Sequence, residues 1–251
     1  IFEFPKKKKM NLIIDVGNTR VKVAVFEEDT IVDFVVFDKI KIVSEIKKII
    51  KKYKITRAIA SSVALLSVKK IEKLQNLVEI MFVSSNLKIP FKNLYATPTT
   101  LGVDRIALVF GAFIKYPKKN VLIIDAGTCI TFDFLTKNGE YLGGAISPGV
   151  EMRYKSLHKF TSKLPLLPIN KPENFVGNST KESINSGVVN GVIQEIEGVI
   201  NQYEKKYLDL TVVLTGGDTN FLSKQLKSSI FANQNFLLEG LNEILIFNKS
   251  K

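Results

Sequence analysis

The sequence predicts an α/β protein made of two related halves, each a mixed sheet with flanking helices. Three observations predict it. Residues 12–26 read as a buried strand (Leu12, Ile13, Ile14), a turn carrying Asp15, Gly17, Asn18 and Thr19, and a second strand with alternating apolar residues. The same plan returns about 110 residues later, at 122–134, as an apolar run, Asp125-x-Gly127, Thr128 and renewed alternation. After each hairpin, strand-like and helix-like periods alternate, which is the signature of a sheet covered by helices.

Taken in order, strands at 12–15 and 20–27 form the first hairpin, and 30–37, rich in Val and Phe, adds a third strand. Apolar residues at 42, 43, 46, 49, 50 and 53 repeat with a helical period, so 40–54 is predicted to be a helix. A strand over 57–62, a helix over 67–76 and a strand over 78–83 complete the first sheet. Residues 84–100 hold two prolines among several Ser, Asn and Thr, a loop composition, and Gly102 then opens a helix running to about Tyr116. The break at 117–120 separates the two halves, 10–117 and 118–251. Beyond the second hairpin, Lys137-Asn138-Gly139-Glu140 is a hairpin turn and 141–146 a strand holding Gly143 and Gly144. A helix is predicted from 150 to 157 or beyond, a loop over 164–172, and one long helix over 180–205, softened by Gly187, Gly191 and Gly198. A strand over 211–214 runs into Thr215-Gly216-Gly217-Asp218 and a helix from about Asn220.

The 251 residues are 45% hydrophobic and 24% charged, values of a globular chain able to bury a core. No apolar run approaches the roughly 18 residues of a membrane span. Residues 1–9 lack the apolar stretch of a signal peptide, and because Met10 directly precedes the first strand they are expected to be an extension outside the fold. The single cysteine, Cys129, excludes an internal disulfide and a four-cysteine zinc site, and a cytoplasmic location is expected. A formal charge of +12 raises nucleic-acid binding as a function, but only four of the basic residues are arginines (Arg20, Arg57, Arg105 and Arg153) and no nucleic-acid module is visible. The lysines, many on helix-like segments such as 46–54, read as solvated faces, and neither a nucleic-acid nor a membrane partner is expected.

In Asp15-x-Gly17-Asn18-Thr19, glycine lets main chain approach a phosphate and aim N–H groups at it. Asp15, at a strand end, suits a divalent metal held directly or through water. The same residues are also what an ordinary turn prefers; the second copy, with matching Asp, Gly and Thr, favours the phosphate-binding reading. Thr215-Gly216-Gly217-Asp218 lets backbone lie flat against adenine or ribose, though a plain strand-to-helix turn uses the same residues. Neither a Walker loop nor the protein-kinase motif set is present.

The ordered set Asp15-x-Gly-Asn-Thr, Gly102-x-Asp104-Arg105, Asp125-x-Gly-Thr128, Gly143-Gly-x-Ile-x-Pro-Gly149 and Thr215-Gly-Gly resembles the type III pantothenate kinases, from about Met10 to the C-terminal helix. These belong to the acetate kinase, sugar kinase, Hsp70 and actin superfamily. The resemblance implies duplicated ribonuclease H-like, actin-like ATPase halves and an ATP-dependent phosphorylation of the pantothenate 4′-hydroxyl, the first step of coenzyme A biosynthesis. It implies that Asp15, Val16, Gly17, Asn18, Thr19, Arg20, Val21, Lys22 and Thr128 bind the ATP phosphates, with Gly216 and Gly217 near the adenosine. Tyr95, Gly102, Val103, Asp104, Arg105 and Thr180 would meet pantothenate, with Asp104 as proton acceptor. Asp125 would hold a monovalent cation, K+ or NH4+, and Mg2+ would accompany ATP. A homodimer with the substrate site at the subunit interface is also implied.

Elementary chemistry is consistent with those roles. An aspartate accepting the hydroxyl proton contributes about 10²–10⁴ in rate, and the Arg105 fork can grip a carboxylate in a bidentate way that lysine cannot copy. An Asp-Arg pair at a helix start also simply complements the macrodipole. Two other functions compete. One is a non-catalytic regulatory or accessory protein of the same fold, which would have no need of Asp15, Asp104, Arg105 and Asp125 together. The other is a kinase of the superfamily with a different small acceptor. Of the remaining residues, His158 reads as a surface helix position, Cys129 as a small packing residue, and Asp133 as facing either solvent or the metal. Gly187 and Gly191, one turn apart, would permit close helix contact in a dimer.

Overall fold

The computed structural model describes residues 10–17, 20–61, 66–84 and 87–248. The expected extension at 1–9, together with Asn18 and Thr19 of the first turn, lies outside the described residues. Two compact units are present: one holds the chain up to Pro90, Ala96–Ile114 and the last helix from Leu237, and the other holds Phe91–Tyr95 and Lys115–Phe236.

In the first unit, β1 (Met10–Val16), β2 (Arg20–Glu27) and β3 (Thr30–Asp38) form an antiparallel meander. The chain then makes α1 (Ile42–Lys52), β4 (Ile55–Ser61), α2 (Val68–Gln75) and β5 (Ile80–Phe82). Strands β4 and β5 add in parallel, giving the order β3-β2-β1-β4-β5. Helix α1 starts later and ends sooner than the predicted 40–54, because a 3-10 turn occupies Lys39–Lys41. Its Ile42, Ile46 and Ile49 are buried against the β1, β2 and β4 side chains, each worth about 1.5–3 kcal/mol of burial. Its lysines at 47, 48, 51 and 52 face solvent, with Lys48 on Glu45 at 2.8 Å and Lys52 on Asp33 at 2.9 Å. Such exposed pairs contribute little to stability.

The predicted loop at 84–100 contains a two-residue strand, β6 (Lys92–Asn93), and a 3-10 turn at Pro98–Thr100. Helix α3 (Val103–Lys115) follows.

In the second unit, β7 (Asn120–Ala126), β8 (Cys129–Leu135) and β9 (Glu140–Pro148) repeat the meander. They lead to α4 (Val150–Phe160), α5 (Thr180–Asn185), α6 (Gly191–Lys206), β10 (Leu210–Thr215), α7 (Thr219–Leu222), β11 (Phe231–Ala232) and α8 (Phe236–Phe247). The predicted long helix at 180–205 is divided by a π turn at Ser186–Asn190, where Ser186 Oγ donates to the Phe175 carbonyl and Asn190 donates to Ser186 Oγ at 3.0 Å. The helix expected from Asn220 is a single turn.

The second sheet, read as β9-β8-β7-β10-β11 with β6 added beside β9, has the connectivity of the first. In both, the central strand pairs antiparallel with the next strand in sequence and parallel with the strand that returns after a helix. One face of the second sheet packs Ile124, Phe132 and Leu214 against Val188, Val192 and Ile196. Among the described residues, no helix is long and apolar enough to cross a membrane.

Helix α8 belongs to the first unit's core. Asn242 accepts from Asn11 on β1 at 2.9 Å and donates to the Glu28 carbonyl at 2.8 Å. Gly240 lets α8 touch α3, since a Cβ there would stand 2.1 Å from the Ala107 carbonyl oxygen.

Candidate active site

The first unit gathers its chemistry where β1, β2 and β4 end. Asp15 is the penultimate residue of β1, with Lys22 opposite on β2 and Ser61 opposite on β4. Its carboxylate is only 9% exposed and accepts a 2.7 Å bond from Ser61 Oγ. Burial pushes the Asp15 carboxyl above its ordinary range, the Ser61 bond and the Lys22 ammonium oppose that shift, and the Asp104 carboxylate adds to it. Asp15, Lys22 and Asp104 therefore share one electrostatic environment, as like and unlike charges close together must.

Asp104 stands in the first turn of α3, and its Oδ1 accepts the Arg105 N–H at 2.9 Å. That rotamer explains Gly102, because a Cβ at 102 would lie 2.4 Å from Asp104 Oδ1. Arg105 is 5% exposed, so a carboxylate reaching it is met in a low-dielectric setting. Val103 is half-buried beside it. In the hairpin turn, the Gly17 N–H donates to the Arg20 carbonyl at 3.0 Å. Arg20 is exposed, whereas Val16 and Val21 bury their side chains fully in the core.

The second unit repeats the arrangement with different chemistry. Asp125 takes the place of Asp15, with Thr131 opposite on β8 and Thr215 opposite on β10. Three glycine turns close around it. A Cβ at Gly149 would lie 2.0 Å from the Gly127 carbonyl oxygen, and one at Gly216 would lie 2.2 Å from the Ala126 carbonyl and 2.4 Å from Asp125 Oδ1. Gly216 also has φ +99°, a conformation that favours glycine. The Asp218 N–H donates to the Ala126 carbonyl at 2.9 Å, tying the Thr215–Asp218 turn to the end of β7. Thr128 and Gly217 are exposed at this rim. Burial, and then the Glu151 carboxylate, push Asp218 up to about 6.

Tyr95 and Thr180 occupy other parts of the second unit. The Tyr95 ring lies against Gly143, where a Cβ would be 3.0 Å from its Cδ2, and stacks on Tyr141 with centroids 6.2 Å apart. Tyr141 in turn donates to Asp133 at 2.7 Å. Asp133 is therefore a buried structural carboxylate and does not face solvent as one sequence reading had it. Thr180 is exposed at the start of α5, where Ser179 Oγ caps the helix by accepting the Glu182 N–H at 3.2 Å. It lines a cavity of about 1020 Å³ with Ser179, Ser183, Leu157, Gly187 and Arg153. Arg153 bonds to Ser147, the Pro148 carbonyl and Glu195, joining the end of β9 to α6. His158 Nδ1 lies 2.8 Å from the Leu164 carbonyl at the exposed end of α4. Gly187 and Gly191 have open space, among the described residues, where a side chain would be.

Sequence reasoning missed that Ser61, Thr131 and Thr215 stand directly opposite the motif aspartates on the neighbouring strands. The available signal was that each ends or flanks an apolar run at the height of a motif aspartate.

A family profile described as type III pantothenate kinase matches residues 11–202. The chain belongs to the type III pantothenate kinase family. It is 51% identical over 243 residues to the type III pantothenate kinase of Christiangramia forsetii, covering 96% of this chain and 100% of the relative. It is 46% identical over 239 residues to that of Flavobacterium johnsoniae, covering 93% and 96%. Among solved structures, one from Campylobacter jejuni assigned to the Baf family of transcriptional activators aligns with TM-score 0.63 at 19% identity, over 96% of this chain and 100% of that one. A glucokinase from an Antarctic psychrotroph aligns with TM-score 0.52 at 12% identity, over 95% and 99%. At such identities these two show the fold alone, the two-lobed actin-like ATPase fold that the repeated sheets display. As a member of this family the chain is an enzyme, a phosphotransferase.

Proposed function

We propose that this chain phosphorylates pantothenate on its 4′-hydroxyl with ATP, opening coenzyme A biosynthesis. Family membership and close relatives across nearly the whole chain support the reaction. The observation that carries the mechanism is the geometry of Asp104. Its carboxylate is fixed at the start of α3 by the Arg105 N–H and by the absence of a Cβ at Gly102, in the unit that also holds the buried Asp15.

In this reading the turn at 17–19, Lys22 and Thr128 receive the phosphates, and Gly216 and Gly217 border the adenosine. Arg105, Gly102, Val103, Tyr95 and Thr180 orient pantothenate, and Asp104 takes the hydroxyl proton as the phosphoryl group transfers. Phosphoryl transfer asks the protein mainly for in-line placement and charge neutralisation. Asp104, held by its own helix N–H, is preorganised for the first task. Lys22 is suited to the second. The duplicated halves, 10–117 and 118–251, and the homodimer with an interfacial substrate site belong to the same proposal.

The donor set fits the implied ions. Among the described residues no three acidic, His or Cys side chains form a metal cluster. Mg2+ keeps waters and takes one or two carboxylates plus phosphate oxygens, so it requires no such cluster. Asp15, buried and short of water, is the carboxylate to which such an ion would be drawn. When bound, Mg2+ supplies charge neutralisation on the phosphate oxygens. Asp125, flanked by neutral hydroxyls, suits a monovalent cation.

The test is Asp104→Asn in a coupled ADP-release assay. Pantothenate-dependent turnover is expected to fall by about 10²–10⁴, with nucleotide binding and melting temperature unchanged. Turnover near wild type would remove Asp104 as the base. A panel of acceptors in the same assay separates pantothenate from other small alcohols, and no turnover with any acceptor would favour an accessory protein.

A further inference from the structure

We propose that the hydroxyls of Thr131 and Thr215, with the Asp125 carboxylate, form the oxygen shell of the monovalent-cation site. This rests on the proposed reading of Asp125 as a cation ligand and adds two residues to it. The argument begins with the repeated sheet. In the first unit the central carboxylate, Asp15, has a hydroxyl on its parallel neighbour, Ser61, and an ammonium on its antiparallel neighbour, Lys22. The Ser61 hydroxyl donates to it and the Lys22 charge acts on it. In the second unit the same two positions hold Thr215 and Thr131. Residues directly opposite on paired strands project from the same face, so both side chains flank the Asp125 carboxylate.

Among the described residues neither hydroxyl oxygen has a hydrogen-bond partner, although both are shielded from solvent and Thr215 is only 1% exposed. Buried polar groups are nearly always satisfied, so two orphans at adjoining positions call for an explanation. A threonine hydroxyl has two acceptor lone pairs as well as its proton. One carboxylate between two neutral oxygens suits a singly charged ion, whereas sites for Ca2+ gather several carboxylates. The Gly216 turn lies directly against the carboxylate, so close that a Cβ there would meet Asp125 Oδ1 at 2.4 Å, and it holds Thr215 beside Asp125. The covalently attached ammonium of Lys22 in one half thus has an exchangeable counterpart in the other.

The test is thermal unfolding of the full chain with nucleotide, against KCl at constant ionic strength made up with choline chloride. Wild type is expected to show a saturable rise in melting temperature with potassium, and little with sodium. Thr131→Val and Thr215→Val remove an oxygen while keeping the shape, and each is expected to raise the potassium midpoint about 10- to 100-fold. Thr215→Ser and Thr131→Ser are expected to restore it, and Asp125→Asn to abolish the response. If a valine variant does not fold, the alanine variant, which lacks the same oxygen, replaces it. Threonine variants that titrate like wild type, beside an unresponsive Asp125→Asn, would overturn this proposal and leave Asp125 as the ligand. An Asp125→Asn protein that titrates like wild type, or a wild type that ignores potassium, would overturn both.

Discussion

At the scale of single residues, placement of the Asp104 carboxylate, the proposed base, depends on an absence. The Asp104 side chain folds back to accept its neighbour's N–H and passes within 2.4 Å of where a Gly102 Cβ would stand. Gly102→Ala is therefore expected to force Asp104 into another rotamer. A displacement of about 1 Å at a reacting group costs about 10²-fold in rate, so kcat should fall by that order while the melting temperature stays close to wild type. Steady-state kinetics beside a melting curve checks both halves of the statement. A kcat within twofold of wild type would mean that the alanine is accommodated without moving the carboxylate. The Gly-x-Asp-Arg motif was legible as a motif. The reason for its glycine was not, because it lies in a side-chain rotamer.

At the scale of elements, the meanders were readable because alternation and turn residues are local. The π turn at Ser186–Asn190 was not, since it is held by bonds to Phe175 and within the helix itself, and the glycines around it merely permit it. Strand β11 was not expected for a similar reason: Phe231–Ala232 is a strand only because β10 is its neighbour. Helix α8 is apolar on most sides because it is enclosed by its own unit. Its contact with α3 is close enough that Gly240→Ala would press a methyl onto the Ala107 carbonyl at 2.1 Å, backbone that cannot step aside. Such overpacking costs about 1–3 kcal/mol. The variant is expected to melt several degrees below wild type in a thermal denaturation, and an unchanged melting temperature would show that the two helices slide apart without strain.

At the scale of the whole molecule, stability and pH are linked through Asp218. Its carboxyl is pushed up from 3.8 to about 6, chiefly by burial and then by Glu151. Between those values the folded chain holds a proton that the unfolded chain has lost, so this group makes stability fall as pH rises through that window. Chemical denaturation at pH 4, 5, 6 and 7 is expected to show Asp218→Asn with a flatter profile than wild type, the two differing most above pH 6. Parallel profiles would remove Asp218 as the source.

The amino-acid sequence by itself determined the family, the two-half architecture and the short motifs, because hydrophobic period, turn chemistry and motif spacing are properties of neighbouring residues. Only the tertiary structure decided which residues stand beside the motif aspartates. Ser61 lies 46 residues from Asp15 and bonds to it at 2.7 Å, and Thr215 lies 90 residues from Asp125 yet faces it across the sheet. Strand register determines those encounters. A shift of one residue would turn each hydroxyl to the opposite face, and that register follows from burial of the whole sheet.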